Sequence, residues 1–286
     1  MSHAIDSVRY AAQPSWFVPH GAPTFALHPG AAGAALAQAA ARLERPRAIV
    51  VASAHWDTGQ PTVGSAPRLQ TLHDYWGFPA ELNEIRYPAS GCAEASAEVL
   101  RALRAAGFDA LEDSTRGLDH GAWIPLRLMF PDADVPVIPL SIQAGRDPAH
   151  HLALGRALAP LAERGFLVLA SGNLTHNLRD WQRARQAGPQ VPVYVRAFAD
   201  WMWERLRVGD EQALLDYRQR APGAVQAHPQ DDHLLPLYVA LGAGGAAGDA
   251  QRLHAGVDEA VLAMDAFAFG ARRRNGAGLA LVFSQE

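Results

Sequence analysis

Three short runs of this sequence are apolar without alternation: residues 15–19 (SWFVP), 48–54 (AIVVASA) and 166–170 (FLVLA). A strand with one wet face alternates polar and apolar residues, whereas a strand that is apolar throughout needs cover on both faces. The runs therefore point to the interior of a sheet with helices above and below it. A fourth run, 135–142 (VPVIPLSI), carries two prolines, which predict an edge or irregular position. Further strands are expected at 263–269 and 279–283. Helical patterns fill the intervals, at 31–43, 93–106, 193–207 and 210–220. Two more have start signals: 148–164 follows Asp147 as an N-cap with proline at the first position, and 233–241 follows Asp231 and Asp232. No repeat or low-complexity linker divides the 286 residues. The expected fold is a single α/β domain over 1–286, with a central, mostly parallel or mixed sheet flanked by helices.

Composition removes several classes of chemistry. All 25 basic residues are arginine, so no lysine is present to form a Schiff base or to serve a P-loop or kinase site. The single cysteine, Cys92, leaves no disulfide framework, cysteine-rich zinc site or chain-held iron–sulfur cluster. A net charge of −4 gives no reason to expect a nucleic-acid or anionic-membrane partner. The first residues carry charge and no apolar core, and no apolar run approaches the ~20 residues of a membrane span. A cytoplasmic location is the expectation. A loose glycine pattern at 242–247 follows a helix rather than a strand, which argues for a helix-terminal loop and against a dinucleotide site. No G-x-S-x-G elbow and no H-E-x-x-H motif occurs.

The chemistry left on offer is histidine, of which there are 12. Each of the three apolar runs delivers one at or just past its C-terminal end: His20, His55 and His176. Ligand crevices of open α/β sheets lie outside the carboxyl ends of the strands, so parallel strands would bring these imidazoles together although they are far apart in sequence. A single histidine after a strand is usually a loop residue; three in one topological position make coincidence less attractive. Gly21 and Gly172 beside them permit close backbone approach to a ligand. Two further histidine-bearing segments, around His120 (LDHGAW) and around His228 and His233 (HPQDDH), place a carboxylate next to an imidazole at a helix start. A neighbouring Asp there could orient the second ring nitrogen, as metal-bound histidines require. The competing role of His228 and His233 is a solvated, capped loop. Imidazole-only sites suit Zn(II), Fe(II), Cu or Ni, and an aromatic diol bound as a dianion would neutralise such an ion.

The segments FVPHGAPTFAL, VVASAHWDT, LHDYWGFP, LDHGAWIPLRLMFP, VPVIPLSI, ASGNLTHNLRD and HPQDDHLLPLYVALGA occur in this order from Phe17 to roughly Gly242, with MDAFAFG after them. Together they resemble the DOPA-type class III extradiol ring-cleavage dioxygenases of the LigB-like superfamily. The resemblance implies a metal site at the C-terminal ends of the strands, with His20, His55 and His233 as ligands. Asp231 and Asp232 are the competing choices for the third position. It implies His176 as the active-site acid/base and a possible fourth ligand, and His120 as a second catalytic histidine that can bond to substrate or bound oxygen. It implies Fe(II) for activity, with O2 and a small aromatic diol as the partners. Zn(II) lies later in the affinity order and can occupy the same ligands in purified protein. Trp56, His73, Tyr75, Trp76, Phe78 and Trp123 are candidates for the pocket wall, where a planar ring would stack; the competing role for most is core. Two rival functions use the same residues: a zinc hydrolase, and a non-catalytic metal or redox protein of the same fold.

Overall fold

The unalternating runs become the middle of one sheet. The structure is a computed structural model, which describes residues 10–188, 190–245 and 249–270. Ten strands occur among them: β1 (Ser15–Pro19), β2 (Ala48–Asp57), β3 (Thr62–Gly64), β4 (Leu111–Asp113), β5 (Val137–Ile142), β6 (Phe166–Gly172), β7 (Gln251–His254), β8 (Val257–Asp258), β9 (Leu262–Ala263) and β10 (Ala266–Phe269). Eight form a mixed sheet in the order β4-β3-β5-β2-β6-β1-β10-β7, and β8 pairs with β9 separately. The central strands β5, β2, β6 and β1 run parallel, in registers such as Val51 with Leu169 and Val18 with Ser171. β10 closes antiparallel onto β1. All five residues of β1, all seven of β6 and all six of β5 are buried, as strands covered on both faces must be.

The α-helices among the described residues are α1 (Gly30–Ala40), α2 (Ala93–Ala105), α3 (His120–Met129), α4 (Pro148–Leu158), α5 (Leu178–Ala187), α6 (Val193–Val208), the short α7 (Glu211–Leu215), α8 (Tyr217–Arg220) and α9 (Ala224–Ala227), and α10 (Leu235–Ala243). α3 and α10 pack on opposite faces. Ser15 on β1 donates to the Ala240 carbonyl of α10, whereas Ser171 on β6, an odd number of residues out of step with Ser15's partner, donates to the Gly121 carbonyl of α3. α10 is buried over its whole length, which its sequence (LPLYVALGA) permits because it has no polar face. Gly242 and Ala243 belong to α10, so part of the glycine pattern is buried helix rather than loop. No helix among the described residues is long and apolar enough to cross a membrane.

Three expectations need correction. The proline-bearing run does not lie at an edge: β5 sits between β2 and β3. β3 is three residues long and meets β5 at one register position, Val63 opposite Leu140, so the ladder on that side makes little demand on the proline nitrogens. The Pro139 ring fits against Gly64, where a Cβ would come within 2.9 Å of it. The helical run 148–164 is α4 followed by a 3₁₀ segment, Ala159–Arg164, with proline at its start; Asp147 caps α4 as expected by accepting from the His150 amide. The run 210–220 divides into α7 and α8. The expected strand at 279–283 lies outside the described residues.

Candidate metal centre and substrate pocket

β1, β6 and β2 are neighbours, so their carboxyl ends form one short stretch of sheet edge. His20 follows β1 directly, its amide donating to the Gly172 carbonyl. His55 lies within the last turns of β2, which runs on to Asp57. His233 arrives from the opposite side of the sheet edge, in the turn before α10. Its carbonyl accepts from the Asn173 amide and presses on Gly172, where a Cβ would stand 2.2 Å from it. The close approach that Gly172 permits is thus to the His233 backbone rather than to a ligand. The Nε2 atoms converge: His55 Nε2 is 3.1 Å from His20 Nε2 and 3.2 Å from His233 Nε2.

The outer nitrogens explain which way these rings face. His20 Nδ1 is 3.0 Å from Ser171 Oγ. Ser171 gives its only proton to the Gly121 carbonyl, so it must accept from His20 Nδ1–H, and His20 Nε2 is left with a lone pair. His55 Nδ1 is 3.9 Å from Asp74 Oδ2. His233 Nδ1 lies 3.1 Å from Asp232 Oδ2, off line for a hydrogen bond, and has no other partner. Burial above all, then the neighbouring imidazoles, hold His20 and His233 well below the usual histidine range. Burial and His120 lower His55 to about 4. All three are neutral at pH 7. A single proton on His55 Nε2 could bridge to only one neighbour, so three such nitrogens facing one point are chemically consistent with a shared cation. The donor set fits a divalent transition metal with three imidazoles and room for further ligands. Asp231 is held by Arg218 instead, and Asp232 stands behind His233.

Two more imidazoles complete the cluster. His176, four residues beyond β6, stacks on His233 with centroids 3.5 Å apart and rings 6° from parallel. Its amide donates to Ala227, and Asn177 beside it caps α5 by accepting from the Asp180 amide. Burial, followed by His233, lowers its pKa well below the ordinary value. His120 is the first residue of α3, whose N-cap Asp119 accepts from the Ala122 amide and from Ser53 on β2. The expected orienting carboxylate for His120 was its neighbour Asp119. The structure assigns that place to Asp74, whose Oδ1 accepts from both the His120 amide at 2.9 Å and His120 Nδ1 at 3.0 Å. Burial alone would raise Asp74, but these bonds outweigh it and bring the carboxyl down to about 2. His120 therefore carries its proton on Nδ1, and its ring lies 3.9 Å from that of His55.

A cavity of about 400 Å³ opens over these groups. Tyr75, Trp76 and Phe78 line it together with Trp181 and Leu178 of α5. Trp76 is 89% exposed at its mouth. The other three pocket candidates lie elsewhere. Trp123 is fully buried and donates from Nε1 to the Leu72 carbonyl. Trp56 is buried beneath the Arg116 guanidinium, 4.9 Å from its ring centroid. His73 donates to the Ile85 carbonyl and pins the 72–79 loop. His228 is buried, not solvated, and its Nε2 donates to the Leu174 carbonyl, fastening the turn that carries His176. α5 was not expected, so Trp181 was missed; the pairing of Asn177 with Asp180 three residues later was the available signal.

Residues 26–263 match the family model described as the catalytic LigB subunit of aromatic ring-opening dioxygenase. The chain is 38% identical over 227 residues to the 4,5-DOPA dioxygenase extradiol of Beta vulgaris, covering 79% of this chain and 84% of that protein. It is 35% identical over 235 residues to the 4,5-DOPA dioxygenase extradiol of Escherichia coli K12, covering 80% and 84%. The crystal structure of an uncharacterized protein from Escherichia coli K12 superposes with a TM-score of 0.74 at 28% identity, over 90% of this chain and 100% of that one.

Proposed function

The chain belongs to the LigB family of aromatic ring-opening dioxygenases, and on that premise we propose that it opens the ring of a DOPA-like catechol by extradiol cleavage, with O2 as co-substrate and Fe(II) held by His20, His55 and His233. The observation that carries the reading is the convergence of three neutral Nε2 atoms beneath an aromatic-walled cavity that also holds two further histidines. Family membership displaces the hydrolase and non-catalytic alternatives. A redox-active ion supplies the electronic route between diol and O2 that Zn(II) lacks. In the overall reaction a ring carbon–carbon bond beside the diol breaks. Both atoms of O2 enter the product, which leaves with one carboxylate and one aldehyde.

The chain's own residues manage position and protons. Tyr75, Phe78 and Trp181 present ring faces and edges that hold a planar substrate and exclude water around it. His176 is neutral and lines the cavity, so it can take a hydroxyl proton as the diol binds and return it at the opening ring. His120, with Nδ1–H fixed on Asp74, presents Nε2 as an acceptor, and the Asp74 carboxylate stabilises the imidazolium that forms if it takes a proton.

The test is direct. Protein stripped of metal and reloaded anaerobically with Fe(II) is given a panel of catechols that includes DOPA, and air is admitted. Oxygen uptake coupled to a yellow ring-cleavage chromophore is expected, with both lost in His20→Ala and His176→Ala and absent from the Zn(II)-loaded form. No uptake with any catechol, at confirmed stoichiometric iron, would refute the proposal.

A further inference from the structure

We infer that Arg179 gives the enzyme a preference for catechols whose ring substituent ends in a carboxylate, by binding that carboxylate in an annexe beside His176; the inference rests on the catechol reading of the metal site. A second cavity, of about 450 Å³, shares His176, Leu178 and Gln230 with the cavity over the metal centre. A substituent on a ring held at His176 therefore has a second cavity next to the ring's own site.

The charges of this annexe do not balance. Arg179 and Arg183, one helical turn apart on α5, line it together with Asp180. Asp180 is already engaged: Oδ1 accepts from Arg183 at 3.1 Å, and Oδ2 accepts from Gln226 at 3.1 Å and from Asn177 at 3.4 Å. Asp231, near Gln230, is taken by Arg218. Arg179 makes no ion pair or hydrogen bond with any described residue, which leaves one guanidinium of the annexe without a counter-charge. A guanidinium is a planar fork that matches a carboxylate bidentately. Val225 and Pro229, also on the wall, offer apolar surface to a short alkyl chain between ring and acid. Arg179 and His176 line the same cavity, so one ligand can lie against both.

The experiment compares 3-(3,4-dihydroxyphenyl)propanoate with its methyl ester in the Fe(II)-loaded protein. Arg179→Gln should lower the acid-to-ester ratio of kcat/KM about 10-fold, through KM, as expected for the loss of one partly solvated charge-assisted pair. Arg179→Lys should recover part of it. Anaerobic binding of the acid, followed by quenching of tryptophan fluorescence from the pocket, should weaken by the same factor without any turnover. If wild-type protein turns over both compounds and Arg179→Gln leaves their ratio and the acid's affinity unchanged, the inference is wrong and the ring-cleavage reading stands. If the wild type opens other catechols of the panel but neither of these two, the inference alone falls; if it opens no catechol at all, both fall.

Discussion

Replacing Gly172 by alanine tests how the metal centre is assembled. A Gly→Ala change at an unstrained position usually stabilises by about 0.4–1 kcal/mol, because the unfolded chain loses freedom. At Gly172 the new Cβ would lie 2.2 Å from the His233 carbonyl oxygen and 3.2 Å from its carbon. Ordinary contact begins at 3.4 Å, so the His233 backbone must retreat by roughly 1 Å, with about 1–3 kcal/mol of overpacking cost. That carbonyl also holds the Asn173 amide at 3.0 Å. The balance therefore turns from a gain to a net loss of up to about 2.6 kcal/mol. The larger effect falls on His233 as a ligand, since in the proposed site its Nε2 has to meet the same ion as His20 and His55. Comparable disturbances of ligand support cost about 10–100-fold in metal affinity. Competition with a chromophoric chelator measures that affinity, and urea unfolding of the same sample measures stability. Gly145→Ala is the control, because a Cβ there meets nothing within 4 Å, and it should leave both unchanged or slightly improve stability. A Gly172→Ala protein that binds metal as tightly as wild type would refute this account of His233 placement.

Three further outcomes follow from the geometry. Glu98 is 3% exposed and is gripped by Arg47 at 2.8 and 3.0 Å and by Arg164 at 2.6 Å; Glu98→Ala should cost about 1.5–3 kcal/mol in urea unfolding, by removing the charge-assisted bonds that this buried carboxylate accepts from two partly exposed guanidiniums, while metal affinity holds. Trp76→Ala should raise KM for catechols at unchanged stability, since Trp76 lies at the pocket mouth, whereas Trp123→Phe should lower the urea midpoint at unchanged KM; the opposite pattern would restore Trp123 to the pocket. Burial raises Asp265 to about 6 against the pull of Arg252. Its folded form keeps a proton that the unfolded chain releases near 3.8, so this group's contribution to stability is full below about pH 4 and falls as pH rises to about 6, by at most ~3 kcal/mol. Asp265→Asn should flatten that part of the stability–pH curve, and an unchanged slope would contradict the assignment.

The parts of this molecule legible in its sequence are those fixed by local pattern. Runs without alternation marked the parallel interior, and the positions of His20, His55 and His176 after them followed from strand direction alone. β5 was misplaced because a proline reports only on its own nitrogen, while its tolerance depended on the brevity of β3 and the absence of a Cβ at Gly64. Asp74 was passed over because it lies 46 residues from His120 in sequence; the adjacent Asp119 was the obvious partner until capping of α3 and the bond from Ser53 claimed it. Trp76 and Trp123 look alike in sequence, each beside a small residue and three residues past a histidine. Only packing separates the buried indole from the one at the mouth. The uncompensated Arg179 was equally hidden, since charge balance is a property of a cavity and not of a segment.

The central claim is that the chain opens an aromatic ring with both atoms of O2. Its most direct test is a single-turnover reaction of the Fe(II)-loaded protein with a catechol under ¹⁸O2, trapped at once with borohydride so that the aldehyde oxygen cannot exchange with water, and read by mass spectrometry. Two labelled atoms in the ring-opened product, one in the carboxylate and one in the former aldehyde, are the predicted result. Product that carries one label or none, or a diol oxidised with its ring intact, would contradict it.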